Sequence, residues 1–215
     1  MCSECRSAGK VGKAAFAVFP GSGCGLAVKI MIRALRRYLD HEDPLAGAAN
    51  LIAVLVGLNL PGYAICAGFV AGPGGFPAGL LTLSASPLFL ALPRVSRSHP
   101  NLSRALLPII GTLNTIFSTW VLGQLSGTQM FFMPVLMAAS LLFRRREAWL
   151  MLPLAALPAV AFLAVDGRYP LPPHSFDLAA DGALRSMNAV AVACLTVSMG
   201  LVFSGVMTRR ADVGD

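Results

Sequence analysis

Cysteine and histidine are the residues of this chain that could bind a metal or carry redox chemistry. Cys2 and Cys5 form a CxxC pair, whereas Cys66 and Cys194 fall in apolar stretches where a thiol usually packs. A structural zinc site needs about four ligands, and no second CxxC pair follows the first. The chain has only 3 histidines, which are far apart in the sequence. The sequence therefore predicts no metal site and no cofactor.

Catalytic motifs are the next source of chemistry to consider. The glycine-rich stretch GSGCG at residues 21–25 lacks the Lys-Ser or Lys-Thr that would follow in a phosphate-binding loop. The sequence also has no nucleophile elbow, no HExxH motif and no paired carboxylates. It therefore predicts a protein that is not an enzyme, with no catalytic residues.

A ligand site is predicted from amides and aromatic rings that lie in or beside apolar stretches. Asn188 is expected about one helical turn below the outer membrane face, and Gln129 opens an apolar stretch on the same side. Together with neighbouring residues they would form the mouth of a pocket. The predicted ligand-binding residues are Gln129, Phe131, Phe132, Asn188 and Asn114. The alternative is that such polar groups only form hydrogen bonds between helices, worth about 0.6–2 kcal/mol each.

Composition indicates the kind of element that must position these residues. Hydrophobic residues make up 56% of the 215, charged residues only 13%, and the mean hydropathy is +0.70. A soluble domain has about 25% charged residues, and a disordered chain is less hydrophobic than a soluble domain. The sequence therefore predicts an all-α polytopic membrane bundle. Its six apolar runs are 49–71, 76–93, 105–123, 129–143, 148–165 and 186–207.

Basic residues between these runs predict the orientation of the bundle. Alternate segments carry 15 and 2 of the 17 lysines and arginines. Cytoplasmic segments retain Lys and Arg, so six spans with both termini in the cytoplasm of a bacterial inner membrane are expected. The net charge of +7 is then an orientation signal, and no nucleic-acid partner is implied. The runs contain no charged residue in their interiors, which argues against an ion-coupled transporter.

The predicted domain organisation has three parts. Residues 1–46 form a cytoplasmic segment with a basic amphipathic helix at about 26–39, which suits an anionic membrane surface. Residues 47–207 form the transmembrane domain, and residues 208–215 form a short cytoplasmic tail. Small residues at four-residue spacing, such as Ala189 and Ala193, are candidate helix contacts within the bundle or in a homodimer.

The stretch from about Leu106 to Phe203 resembles a known kind of domain. The uncharged SGTQ turn leads into MFFMPVLMAASLLFRRREAW, and a longer outer loop precedes the last span. This pattern resembles the six-helix membrane domains that precede bacterial class III adenylate and guanylate cyclases, and that are also attached to some histidine kinases and diguanylate cyclases. The resemblance implies a usually dimeric receptor or regulator that couples its last span to a cytoplasmic output domain. Here only TRRADVGD follows Met207, so the output domain is expected to lie outside this chain.

These observations lead to two hypotheses from different classes. The first is a membrane sensor or regulatory domain that couples a ligand or lipid signal to a cytoplasmic cyclase or kinase without catalysis of its own. The alternative is a small permease or channel for an uncharged solute, with a path lined by Asn59, Asn114 and Asn188.

Overall fold

The structure, a computed structural model, describes residues 31, 33–35 and 37–211. The described residues fall into two units, one before residue 39 and one from residue 39 onward. Helical residues account for the described part of the first unit. The CxxC pair, residues 26–30 of the expected amphipathic helix and the last residues of the tail lie outside the described residues.

The described residues of the second unit are mainly helical and contain no strand. Five short 3₁₀ turns lie between or beside the helices. The α-helices are α1 (Pro44–Ala71), α2 (Gly75–Thr82), α3 (Ser86–Ser98), α4 (Pro100–Leu122), α5 (Phe132–Leu141), α6 (Ala148–Val165) and α7 (Leu178–Ala211). The predicted all-α bundle is thus confirmed as a helical class.

Among the described residues, five helical stretches are long and apolar enough to cross a membrane. They are Pro44–Ala71, Gly75–Ser98, Pro100–Leu122, Arg145–Val165 and Leu178–Val206. The fourth predicted run, 129–143, forms the shorter apolar stretch Thr128–Leu141. This makes the chain a multi-pass membrane protein with five candidate spans and one shorter apolar stretch among its described residues.

Helix starts follow from local capping chemistry. Asp43 precedes α1 with an extended backbone, and its carboxylate accepts the backbone N–H of Leu45 at 3.3 Å. Pro44 and Pro100 open α1 and α4, where the missing N–H would have had no helical partner. Helix α4 therefore begins before the predicted residue 105. Helix α7 likewise begins at Leu178, before the predicted residue 186, so the loop that precedes it is shorter than expected.

The second crossing is interrupted between α2 and α3. Pro87 has no N–H to donate to the carbonyl of Leu83, and that carbonyl instead accepts the N–H of Ser86 in a 3₁₀ turn. The hydroxyl of Ser86 donates to the carbonyl of Gly57 at 2.8 Å. A hydrogen bond to α1 thus supports the interruption.

The backbones of helices α1 and α2 are in direct contact. A Cβ added at Gly79 would lie 2.7 Å from the carbonyl oxygen of Ala64, and one at Gly75 would lie 2.3 Å from that of Ala67. Only glycine permits this approach. The main apolar core lies among α1 and α3 to α7 and includes Ile52, Phe89 and Phe203.

Candidate functional site

A polar cluster joins α7 to the rest of the bundle, three helical turns from the start of α7. Asn188 is fully buried, and its side-chain N–H groups donate to the carbonyl of Ser126 at 2.8 Å and the hydroxyl of Thr128 at 3.2 Å. Its amide oxygen accepts the hydroxyl of Tyr63 on α1 at 2.8 Å. We call Tyr63, Ser126, Thr128 and Asn188 the Asn188 node. It connects α1, α7 and the turn between α4 and α5.

The turn at the Asn188 node is shaped by two glycines with positive φ. Gly123 has φ of 79° and Gly127 has φ of 73°, a region that favours glycine. The hydroxyl of Ser126 donates to the carbonyl of Gly123 at 2.6 Å and lies 2.8 Å from the hydroxyl of Thr128. These local bonds hold the two groups that Asn188 binds.

Aromatic side chains surround the Asn188 node. Tyr63 and Phe131 meet edge to face, with ring centroids 6.3 Å apart. Around the buried residues Ala78, Val121 and Leu122 pack the partly buried rings of Tyr63, Phe117, Trp120 and Phe176. Phe176 belongs to the loop that precedes α7, so this loop closes over the end of α4. The amide of Gln124 donates to Asp166 at 3.2 Å and ties the turn between α4 and α5 to the start of the loop after α6.

Three buried polar atoms on α4 and in the turn between α4 and α5 have no hydrogen-bond partner among the described residues. They are the indole Nε1 of Trp120, Oε1 of Gln129 and Oδ1 of Asn114. Buried polar atoms are nearly always paired in folded proteins, so each is open to a ligand or a water molecule. Burial also raises the pKa of Tyr169 in the nearby loop, with a smaller opposing effect from Thr119, and the phenol therefore keeps its proton at neutral pH.

The five predicted ligand-binding residues have different surroundings. Asn188 uses its amide for contacts within the protein, as the alternative interpretation expected. Phe131 contacts the node through Tyr63, whereas Phe132 is buried and packs on Phe162 with centroids 6.1 Å apart. Gln129 and Asn114 each have an unpartnered oxygen.

Sequence reasoning missed Tyr63, Ser126 and Thr128 as members of the node. One available signal was the glycine-bounded Ser-Gly-Thr in an otherwise apolar region. The hydroxyls along α4 have a simpler role. Thr112, Thr115 and Thr119 each donate to the carbonyl four residues earlier in the same helix.

A second polar cluster, at the opposite end of the bundle, corrects one expectation. The third run was expected to begin at 105 and to contain no charge, yet Arg104 lies in α4 and is only 1% exposed. Its guanidinium donates to both carboxylate oxygens of Glu147, at 2.8 and 3.2 Å. It also donates to the carbonyl of Leu142 at 3.1 Å and to the side chain of Asn101. Hydropathy alone does not reveal this burial, because Glu147 lies 43 residues from Arg104 in the sequence.

Asp43 and Arg144 complete this second cluster. A carboxylate oxygen of Asp43 lies 3.8 Å from Arg104, and the other accepts from Arg144 at 3.0 Å. The backbone N–H of Arg144 donates to Glu147 at 2.9 Å. We call Asp43, Arg104, Arg144 and Glu147 the Arg104 clamp. Two guanidinium groups face two carboxylates, so the clamp is balanced in charge and fixes the start of α1 to α4 and α6.

Comparison with known protein families gives a match over most of the chain. The family model MASE7, a membrane-associated sensor domain family, matches residues 37–212. No curated protein matches the chain. The matched region contains both the Asn188 node and the Arg104 clamp.

Proposed function

Because the chain belongs to the MASE7 family of membrane-associated sensor domains, we propose that it detects a ligand or lipid near the Asn188 node. The signal passes through α7 to a cytoplasmic partner, a cyclase or a kinase. The chain itself catalyses no reaction.

The Asn188 node is the observation that carries this proposal. Asn188 holds α7 through one amide, and its three bonds reach α1 and the α4–α5 turn. A ligand that binds differently to two arrangements of this amide would shift α7 between them. Coupling energies of about 1–3 kcal/mol are typical of allosteric proteins and would need only one or two such bonds.

The proposed ligand site comprises Gln129, Phe131, Phe132, Asn188 and Asn114. Within it we assign direct ligand contact to Gln129 and Phe131. Gln129 supports this role through its unpartnered oxygen, and Phe131 through its contact with Tyr63. Trp120 joins them because its indole N–H is also unpartnered. Asn188 is assigned a positioning role, since its amide is already occupied.

The proposed orientation places the Arg104 clamp in the cytoplasm and the Asn188 node toward the outside of a bacterial inner membrane. This requires six crossings, including the short stretch Thr128–Leu141. Charge supports it, because Arg94, Arg104 and Arg144–Arg146 lie at the clamp end, where the positive-inside rule expects them. The exposed Trp149 beside Arg146 suits contact with lipid headgroups.

A homodimer through α7 forms part of the proposal. Only 11% of the apolar window of α7 is buried within one chain. Ala189, Ala193 and Gly200 are exposed on this helix at helical spacing. Small residues let two helices approach closely in a membrane. A dimer would place two α7 helices side by side, and a change in their arrangement would be passed to a dimeric output partner.

The permease alternative has weaker support. Asn59 is exposed on α1, and the amide of Asn188 is occupied. The hydroxyls of α4 are bonded to their own helix. These groups are therefore poorly placed to line one continuous polar path.

A fusion protein tests the proposed function. A cyclase that is active only as a dimer is attached after Met207, and its activity is measured in vesicles while lipid extracts and small neutral amides are added. We expect at least one addition to change activity severalfold, and Gln129→Ala to abolish that response. Asn59→Ala is the matched control and should respond like the parent. A response that is equal in all three proteins would contradict the assigned site, and no response to any addition would contradict ligand sensing.

A further inference from the structure

His41 lies beside the Arg104 clamp and is bound through both ring nitrogens. The backbone N–H of Asp43 donates to Nδ1 at 3.0 Å. Nε2 lies 3.1 Å from the carbonyl oxygen of Ser96 on α3. Since Nδ1 accepts a hydrogen, the proton of the neutral ring must be on Nε2, where it is donated to Ser96. Both bonds therefore exist together only in the neutral imidazole.

Protonation of this ring would remove one bond. A protonated imidazole carries hydrogen on both nitrogens, so Nδ1 would face the N–H of Asp43 as donor against donor. Histidine is the side chain that ordinarily changes charge between pH 5 and 8. We propose that His41 is a proton-binding site that loosens the Arg104 clamp when cytoplasmic pH falls.

The effect reaches the clamp through Asp43. This one residue accepts from Arg144, pairs with Arg104 and caps α1 through Leu45. Its backbone is held by His41, which also ties the segment to α3. Loss of the hydrogen bond between the Asp43 N–H and His41 therefore loosens the Asp43 carboxylate, which Arg104, Arg144 and the N–H of Leu45 all contact.

Charged neighbours bear on the result. Carboxylates attract an imidazolium and arginines repel it, so the two kinds of neighbour act in opposite directions. The titratable and charged groups on the elements around His41 are Asp40, Glu42 and Asp43 on its own segment, Arg94 and Arg97 on α3, His99 and Arg104 beside and in α4, and Arg144, Arg145, Arg146 and Glu147 before α6.

This inference adds a second input to the proposed sensor, at the end opposite the ligand site. That the proton comes from the cytoplasm rests on the orientation proposed above. The loosening itself does not depend on that orientation, on a ligand or on an output partner.

Hydrogen–deuterium exchange of the full chain in lipid nanodiscs tests the inference. Segments 41–47 and 142–148 are followed at pH 8 and pH 6 in the wild type, His41→Gln and His99→Gln. Glutamine keeps one acceptor and one donor but binds no proton, and His99 is an exposed histidine at the same end. Comparison at equal pH cancels the intrinsic pH dependence of exchange.

At pH 6 we expect the wild type and His99→Gln to exchange faster than His41→Gln in both segments, with about fivefold, the effect of one hydrogen bond, as the upper limit. At pH 8 the three proteins should agree. Equal exchange at pH 6 in the wild type and His41→Gln would overturn the proposal.

A second measurement covers the case in which His41→Gln exchanges faster than the wild type even at pH 8. Nitrogen NMR of the wild-type ring should show hydrogen on Nε2 alone at pH 8, and its conversion to imidazolium should track the rise in exchange of 142–148. Conversion without that rise would overturn the proposal. Because no ligand is added, failure of the cyclase fusion to respond leaves this result intact.

Discussion

The hydroxyl of Tyr63 donates to the amide oxygen of Asn188 at 2.8 Å, across 125 residues of sequence. This bond joins the first and last long helices of the bundle within an apolar environment. It is the only hydrogen bond shown for that amide oxygen among the described residues. Its loss should therefore affect α7 directly.

Replacing Tyr63 with phenylalanine should destabilise the bundle by about 1 kcal/mol, because the oxygen of Asn188 loses its donor while the ring packing is kept. Thermal unfolding in detergent measures the change. Ser198→Ala is the control, since that hydroxyl is exposed and bonds its own helix at Cys194. Equal unfolding temperatures for the two variants would show that the bond contributes nothing to stability.

Replacing Arg104 with glutamine should cost about 3–5 kcal/mol, because Glu147 loses its buried counter-charge and Asp43 keeps only Arg144. Lysine should rescue only part of the loss, since it cannot pair with both carboxylate oxygens of Glu147 in the same way. Unfolding in detergent measures both variants. Arg94→Gln removes an exposed arginine at the same end and should change stability little. Similar losses for Arg94 and Arg104 variants would indicate a general charge effect.

Alanine at Gly127 should destabilise the node turn by about 1–2 kcal/mol or more. Its φ of 73° is unfavourable for a residue with a Cβ, and that Cβ would lie 3.0 Å from Cγ of Arg185. Gly167 is a matched control with φ of 69° and no atom within 4 Å of an added Cβ. The difference in unfolding free energy between the two variants isolates the contact with Arg185, and no difference would leave backbone strain as the whole effect.

Alanine at Gly79 should separate α1 from α2, since the added Cβ would lie 2.7 Å from backbone oxygen of Ala64. We expect a loss of about 1–3 kcal/mol from this overpacking. Gly62→Ala is the control, because nothing lies within 4 Å of its added Cβ and alanine favours helix there. Tolerance of both substitutions would argue against close contact of the two backbones.

Impermeant maleimide labelling tests the proposed orientation. In a cysteine-free background, cysteine at Arg168 should react from outside intact cells, and cysteine at Arg146 only after lysis, because the two residues lie at opposite ends of the bundle. Both side chains are exposed, so accessibility alone does not separate them. Reaction of Arg146→Cys in intact cells would show that the orientation is the reverse of the one proposed.

Sequence alone predicted the helical class and the approximate helices, since hydropathy depends on residue type and a span needs only about 20 apolar residues. It also selected Asn188, because an amide in an apolar run is conspicuous. Helix starts were less accurate. Pro100 and Leu178 begin helices in stretches that hydropathy assigns to loops, as capping and backbone geometry outweigh average polarity at a helix end.

Tertiary structure alone decided what the polar residues bind. Arg104 looked like a loop residue because hydropathy counts a charge without its partner, and its partner Glu147 lies 43 residues away. The position of Asn188 in an apolar run likewise does not reveal that its amide binds Tyr63, Ser126 and Thr128. Whether a buried polar group is paired depends on distances of about 3 Å between distant parts of the chain, which residue type and spacing do not specify.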